Sequence, residues 1–189
     1  MRVIGIAAGF HAGSFNNRLL EAAARELPAW AEFESWQGLG DIPPFTSGPV
    51  PGPVGELRKT LDESDAVLVT APEYCLLPAE LYHALNWLRA DRALAGRHVA
   101  VVCASARACG AMWAQTELVK EFTAAGAVVV GSELVVTPSG PYFDDRGSLL
   151  HRGLLDQVRE VIGQLCPAPV RRPPPVRARA LAREPALSL

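Results

Sequence analysis

Along this chain the spacing of apolar positions changes in a regular order. Residues 3–8, 66–71 and 97–104 hold short, nearly unbroken apolar runs. Each is too short for a free-standing helix, and β-branched residues recur in them. Strands buried on both faces of a parallel sheet have this pattern. Between these runs the spacing lengthens to three and four. Leu19, Leu20, Ala23, Ala24 and Leu27 form one such set, and Leu81, Leu85 and Leu88 form another. Leu154, Leu155, Val158, Val161, Ile162 and Leu165 form a third. Each set predicts an amphipathic helix. Residues 31–36 alternate polar and apolar, as a half-exposed strand does.

The punctuation between these segments is clear. Ser14 is a natural N-cap for the first helix, and Pro28 ends that helix. A loop rich in Gly and Pro, residues 38–53, leads to a helix over 54–63. Pro72 stops the strand at 66–71 because it has no N–H for the ladder. Pro78 suits the first turn of the helix that follows. A helix over 111–124 is broken by Gly126, and 127–136 reads as a fifth strand kinked at Gly131. The last helix is predicted over 149–165. Five strands alternating with five helices predict a doubly wound, three-layer α/β/α sandwich with right-handed crossovers. Its five-stranded parallel sheet takes the order 2-1-3-4-5. In that order the loops at Gly9, Pro72 and Ser105 converge at one sheet edge, the place where open α/β sheets hold ligands.

Composition narrows the function classes. The chain has 189 residues, 49% hydrophobic and 20% charged, which fits one globular domain with a sizeable core. The net charge of −2 hides an asymmetry. Residues 167–189 carry five Arg and one Glu, a charge of +4, so residues 1–166 carry −6. A nucleic-acid-binding body is not supported. The domain is expected over residues 1–165, with 166–189 a flexible tail rich in Pro and Arg. Cys75, Cys103, Cys109 and Cys166 have neither metal-ligand nor disulfide-framework spacing, which points to a reducing cytoplasm. No apolar run approaches membrane-spanning length, and the start is too short for a secretion signal.

Three stretches carry a family resemblance. They are Gly9…Gly13-Ser-Phe-Asn16 followed by Leu19-Leu20, then Pro72-Glu-Tyr74…Pro78…Leu81…Ala84-Leu85…Trp87, and Ser105…Gly110…Ala114-Gln115…Leu118. Each lies at a strand-to-helix junction. Over residues 1–165 the sequence resembles the NADPH-dependent FMN reductases, flavodoxin-like enzymes that reduce flavins, quinones, azo dyes and chromate. The resemblance implies FMN and NADPH as cofactors, a small-molecule acceptor, a homodimer, and neither nucleic acid nor membrane as partner. It also implies cofactor contacts at Gly9, His11, Ser14, Asn16, Pro72, Glu73, Tyr74, Cys75, Ser105, Arg107 and Gly110.

The sequence departs from the family pattern in all three loops. Phe10 stands where relatives have Ser, and His11 stands roughly where they have Arg. The second loop reads Pro72-Glu-Tyr-Cys-Leu-Leu77 and is one residue short, and Trp113 replaces an Arg. These changes open an alternative: a relative without FMN whose greasier cleft takes an apolar small molecule. Non-redox chemistry such as cyclisation, isomerisation or hydrolysis would then fall to His11, Glu73, Tyr74 or Cys75. Cys75 lies near a helix N-terminus, where thiol pKa falls, and His11 or His83 could serve as its base. Cys103 reads as core, and His98 and His151 read as surface residues.

Overall fold

The structure is a computed structural model that describes residues 1–8, 13–72, 78–104, 110–131 and 142–168. Its strands are β1 (Arg2–Ala7), β2 (Glu32–Trp36), β3 (Ala66–Pro72), β4 (His98–Ala104) and β5 (Val128–Val130). Its helices are α1 (Phe15–Ala24), α2 (Gly52–Asp62), α3 (Ala79–Ala90), α4 (Gly110–Ala124) and α5 (Arg152–Leu165). All strand pairs are parallel, in the order β2-β1-β3-β4-β5. This is the flavodoxin-like arrangement expected from the alternation.

The two-residue period of a strand sorts the core into two layers. Ile4, Ile6, Val67, Val69, Val99, Val101 and Cys103 point to one face, where Leu57, Leu61, Leu85, Trp87, Leu88, Leu118 and Phe122 of α2, α3 and α4 cover them. Val3, Ala66, Leu68, Ala100 and Val102 point to the other, under Leu19, Leu20 and Ala23 of α1 and Leu154, Val158, Val161 and Ile162 of α5. Both faces of β3 and β4 are therefore dry, which accounts for their continuous apolar sequences.

Three expectations shift. Residues 38–53 contain one 3-10 turn, Gly38–Asp41, and Trp87 pins the loop by donating Nε1–H to the Pro43 carbonyl at 2.9 Å. The ladder of β5 covers Val128–Val130, and Gly131 follows at φ +113°, a left-handed conformation that suits the predicted kink. Residues 132–136 of the predicted strand lie outside the described residues. The last helix begins at Arg152 rather than at 149, because Leu149 forms an antiparallel bridge with Phe143. His151 is exposed as expected, yet its Nδ1 accepts from the Leu154 N–H at 3.2 Å and caps α5.

Candidate functional site

Register brings three strand ends to one level. Ala7 pairs with Thr70, Thr70 with Val102, and Pro72 with Ala104. The chain leaves β1, β3 and β4 at this carboxyl edge and returns into α1, α3 and α4. Those helices direct their N-termini, with free N–H groups and the positive end of the helix dipole, back toward the edge. Anionic ligands are favoured there.

The α1 corner is the most completely described part of the site. Gly13 takes φ +84°, and a Cβ there would meet nothing within 4 Å among the described residues. Ser14 caps α1 as predicted, its Oγ accepting from the Asn17 N–H at 3.2 Å. The Ser14 carbonyl takes the Arg18 N–H at 3.0 Å. The N–H groups of Phe15 and Asn16 have no intrahelical acceptor, and among the described residues no other acceptor meets them. Asn16 is only 6% exposed. Its backbone carbonyl accepts from the Thr70 hydroxyl at 2.9 Å, while its Oδ1 has no hydrogen-bond partner among the described residues.

A second orphaned acceptor comes from α4. Gln115 is buried, and its Nε2 donates to the Val101 carbonyl of β4 at 3.2 Å, but its Oε1 has no partner among the described residues. Buried polar atoms are nearly always satisfied, so these two acceptors point to donors from outside the described residues. Against the α1 corner, Phe15 meets the rings of Tyr142 and Phe143 edge-on, each with centroids 5.3 Å away. The Arg18 guanidinium lies 4.4 Å over the Phe143 ring.

Of the residues singled out from sequence, Ser14 and Asn16 are thus placed together. Pro72 ends β3 and Gly110 begins α4, both at the same edge. Gly9, His11, Glu73, Tyr74, Cys75, Ser105 and Arg107 lie outside the described residues. Cys103 is core, as expected, and His83 is half-buried on α3. Thr70 was missed. It is the one polar residue in an apolar strand run, and that contrast was the available signal.

The model of the NADPH-dependent FMN reductases matches residues 1–141. The chain belongs to the NADPH-dependent FMN reductase family. It is by that membership an NAD(P)H-dependent oxidoreductase of a flavin-using family. Solved structures share the fold. The flavoenzyme NAD(P)H:(acceptor) oxidoreductase FerB from Paracoccus denitrificans is 20% identical with a TM-score of 0.71, over 87% of this chain and 94% of that one. An oxidoreductase from Corynebacterium diphtheriae is 16% identical with a TM-score of 0.70, over 87% and 94%. The apo form of the NADH:FMN oxidoreductase EMOB is 15% identical with a TM-score of 0.68, over 87% of each chain. No curated protein matches the sequence. Among the described residues no helix is long and apolar enough to cross a membrane, and no cluster of His, Cys, Asp or Glu could hold a metal ion.

The donors that the described residues present at this carboxyl edge are of the kind FMN needs. The phosphate needs N–H donors at a helix N-terminus, which Phe15 and Asn16 offer beside the Ser14 cap. The ribityl chain brings hydroxyl donors, the groups that a buried unpartnered amide oxygen lacks.

Proposed function

We propose that this family member binds FMN at the carboxyl edge of its sheet and uses it to reduce a flavin, a quinone or a related aromatic small molecule. NADPH is the proposed donor, and the working form is a cytoplasmic homodimer. The observation that carries the reading is the Oδ1 of Asn16 at the α1 corner, buried and without a partner among the described residues. Bound there, FMN would supply a ring that accepts a hydride from NADPH and passes two electrons to the acceptor.

The chain's own part is placement and electrostatics. The first turn of α1 holds the phosphate with backbone N–H groups and its dipole, and Ser14 fixes the direction of that turn. Asn16 takes a hydrogen bond from the bound group through Oδ1 while Thr70 holds its backbone. The end of β3 at Pro72 and the start of α4 at Gly110 bound the ring site. The proposed contacts continue onto Gly9, His11, Glu73, Tyr74, Cys75, Ser105 and Arg107. No proton transfer from the protein is needed for the hydride itself, so these residues act as binding and orienting groups. Residues 1–165 are the proposed catalytic domain.

The test is an absorbance spectrum of the purified protein followed by titration with FMN. Saturable binding with flavin bands that bleach on adding NADPH is the expected result. A protein that leaves FMN free at high concentration overturns the reading.

A further inference from the structure

Charge is scarce where the chain first reaches the carboxyl edge. From Val3 to Asn17 no Lys, Arg, Asp or Glu occurs, so Arg18 is the first such residue after β1. The N–H groups and dipole at the start of α1 suit an anion. They bring only about half a unit of positive charge, against a charge of about −2 on a phosphate monoester. A cation beside that turn would complete the match.

Arg18 stands one turn into α1, its backbone N–H on the Ser14 carbonyl at 3.0 Å. Helical side chains lean toward the N-terminus of their own helix. Its guanidinium lies 4.4 Å over the Phe143 ring, and that ring meets Phe15, the first residue of α1, edge-on at 5.3 Å. The positive charge is therefore carried beside the first turn. Its platform is fixed as well. Phe143 is 8% exposed, and its backbone is held by the antiparallel bridge to Leu149.

The contact is also of an unusual kind for this chain. Arg2, Arg58, Arg89, Arg159 and Lys120 each pair with a carboxylate. Arg18 is exposed, and among the described residues no carboxylate pairs with it. A ring face offers no oxygen, so lying on one leaves the N–H donors of the guanidinium for another acceptor. What remains is a planar fork, already oriented, of the kind that takes phosphate oxygens two at a time.

We propose that Arg18 is a specificity-determining residue of the flavin site. It pairs with the phosphate of FMN and makes the site prefer FMN to riboflavin, which has the same ring system and no phosphate. The Phe143 ring holds the guanidinium in place before the ligand arrives. This rests on the reading that FMN binds at the carboxyl edge.

Titration of the full chain with FMN and with riboflavin, read by flavin fluorescence, tests this in wild type, Arg18→Gln and Arg18→Lys. Each variant is first checked for native circular dichroism. Arg18→Gln should bind FMN roughly tenfold more weakly and riboflavin as wild type does. Arg18→Lys keeps the charge and loses the fork, so it should fall between the two. Wild-type FMN affinity should also decline more steeply with added sodium chloride than that of Arg18→Gln. Equal FMN affinity and equal salt dependence in wild type and Arg18→Gln overturn the proposal. An equal loss for both flavins also overturns it, because the arginine would then be a prop for Phe143. Unchanged FMN affinity with a lost preference for NADPH over NADH would place Arg18 on the donor's phosphate, and overturns it equally. A wild-type protein that binds neither flavin overturns the flavin reading itself, and this proposal with it.

Discussion

The Thr70 hydroxyl donates to the Asn16 carbonyl at 2.9 Å, which ties the fully buried end of β3 to the first turn of α1. Ala8 N–H in turn donates to the Thr70 carbonyl at 2.7 Å, so one residue holds the departures of β1 and β3 and the start of α1 in one place. Thr70→Val keeps the shape and removes the donor. It should cost about 1 kcal/mol of stability, read from urea unfolding. FMN affinity should fall as well, because the turn that presents the N–H groups loses its anchor. Unchanged affinity beside the stability loss would show that Thr70 is structural only.

Asn16→Ala separates stability from binding. The Oδ1 that it removes is buried and has no partner among the described residues, so the ligand-free protein should keep or gain thermal stability. FMN should bind on the order of tenfold more weakly, equivalent to about 1.4 kcal/mol. Asn16→Asp should weaken it further, since a buried negative charge would stand close to the phosphate held by the same helix turn. Equal affinity in all three proteins would remove Asn16 from the site.

The fold was legible because β3 and β4 are dry on both faces and so cannot be mistaken for amphipathic helices. The ends were harder to read. Leu149 and Leu150 continue the apolar face of α5 in sequence, yet the bridge between Phe143 and Leu149 takes one of them into extended backbone. Val128–Val130 pairs with His98–Ala100 of β4, and residues 132–136 of the predicted strand lie outside the described residues. At the site, Ser14 was readable because capping is local. Thr70 and Gln115 were not assigned roles, since each acts on a carbonyl 54 or 14 residues away that spacing does not reveal.

Trp87→Phe tests what holds residues 38–51 against α3. Trp87 is buried, donates to the Pro43 carbonyl and meets the exposed Phe45 ring edge-on at 4.8 Å. Phenylalanine keeps much of the apolar contact and loses the donor. The variant should lose about 1–2 kcal/mol, the cost of a carbonyl left without its buried partner plus a small void. Hydrogen exchange should quicken around Leu39–Ile42 while β3 and β4 stay protected. Uniform quickening would mean that the loop is not a separate unit.

Cys166 supplies a pH dependence. It is the C-cap of α5, and burial pushes its thiol above the ordinary value, with the Met1 ammonium pulling weakly the other way. Below the ordinary thiol pKa of about 8.5 both folded and unfolded chains keep the proton, and Cys166 makes no difference to the pH profile. As pH rises past that value the unfolded chain releases the proton first, so it binds fewer protons than the native chain and stability falls. The fall stops once pH exceeds the raised native value. Cys166→Ala removes this contribution, so the stability difference between wild type and variant should shrink between pH 7 and pH 10 in paired urea titrations. A difference that holds constant across that range would show that the thiol ionises alike in both states. In the native protein at pH 8, iodoacetamide should likewise leave Cys166 unmodified until denaturant is added.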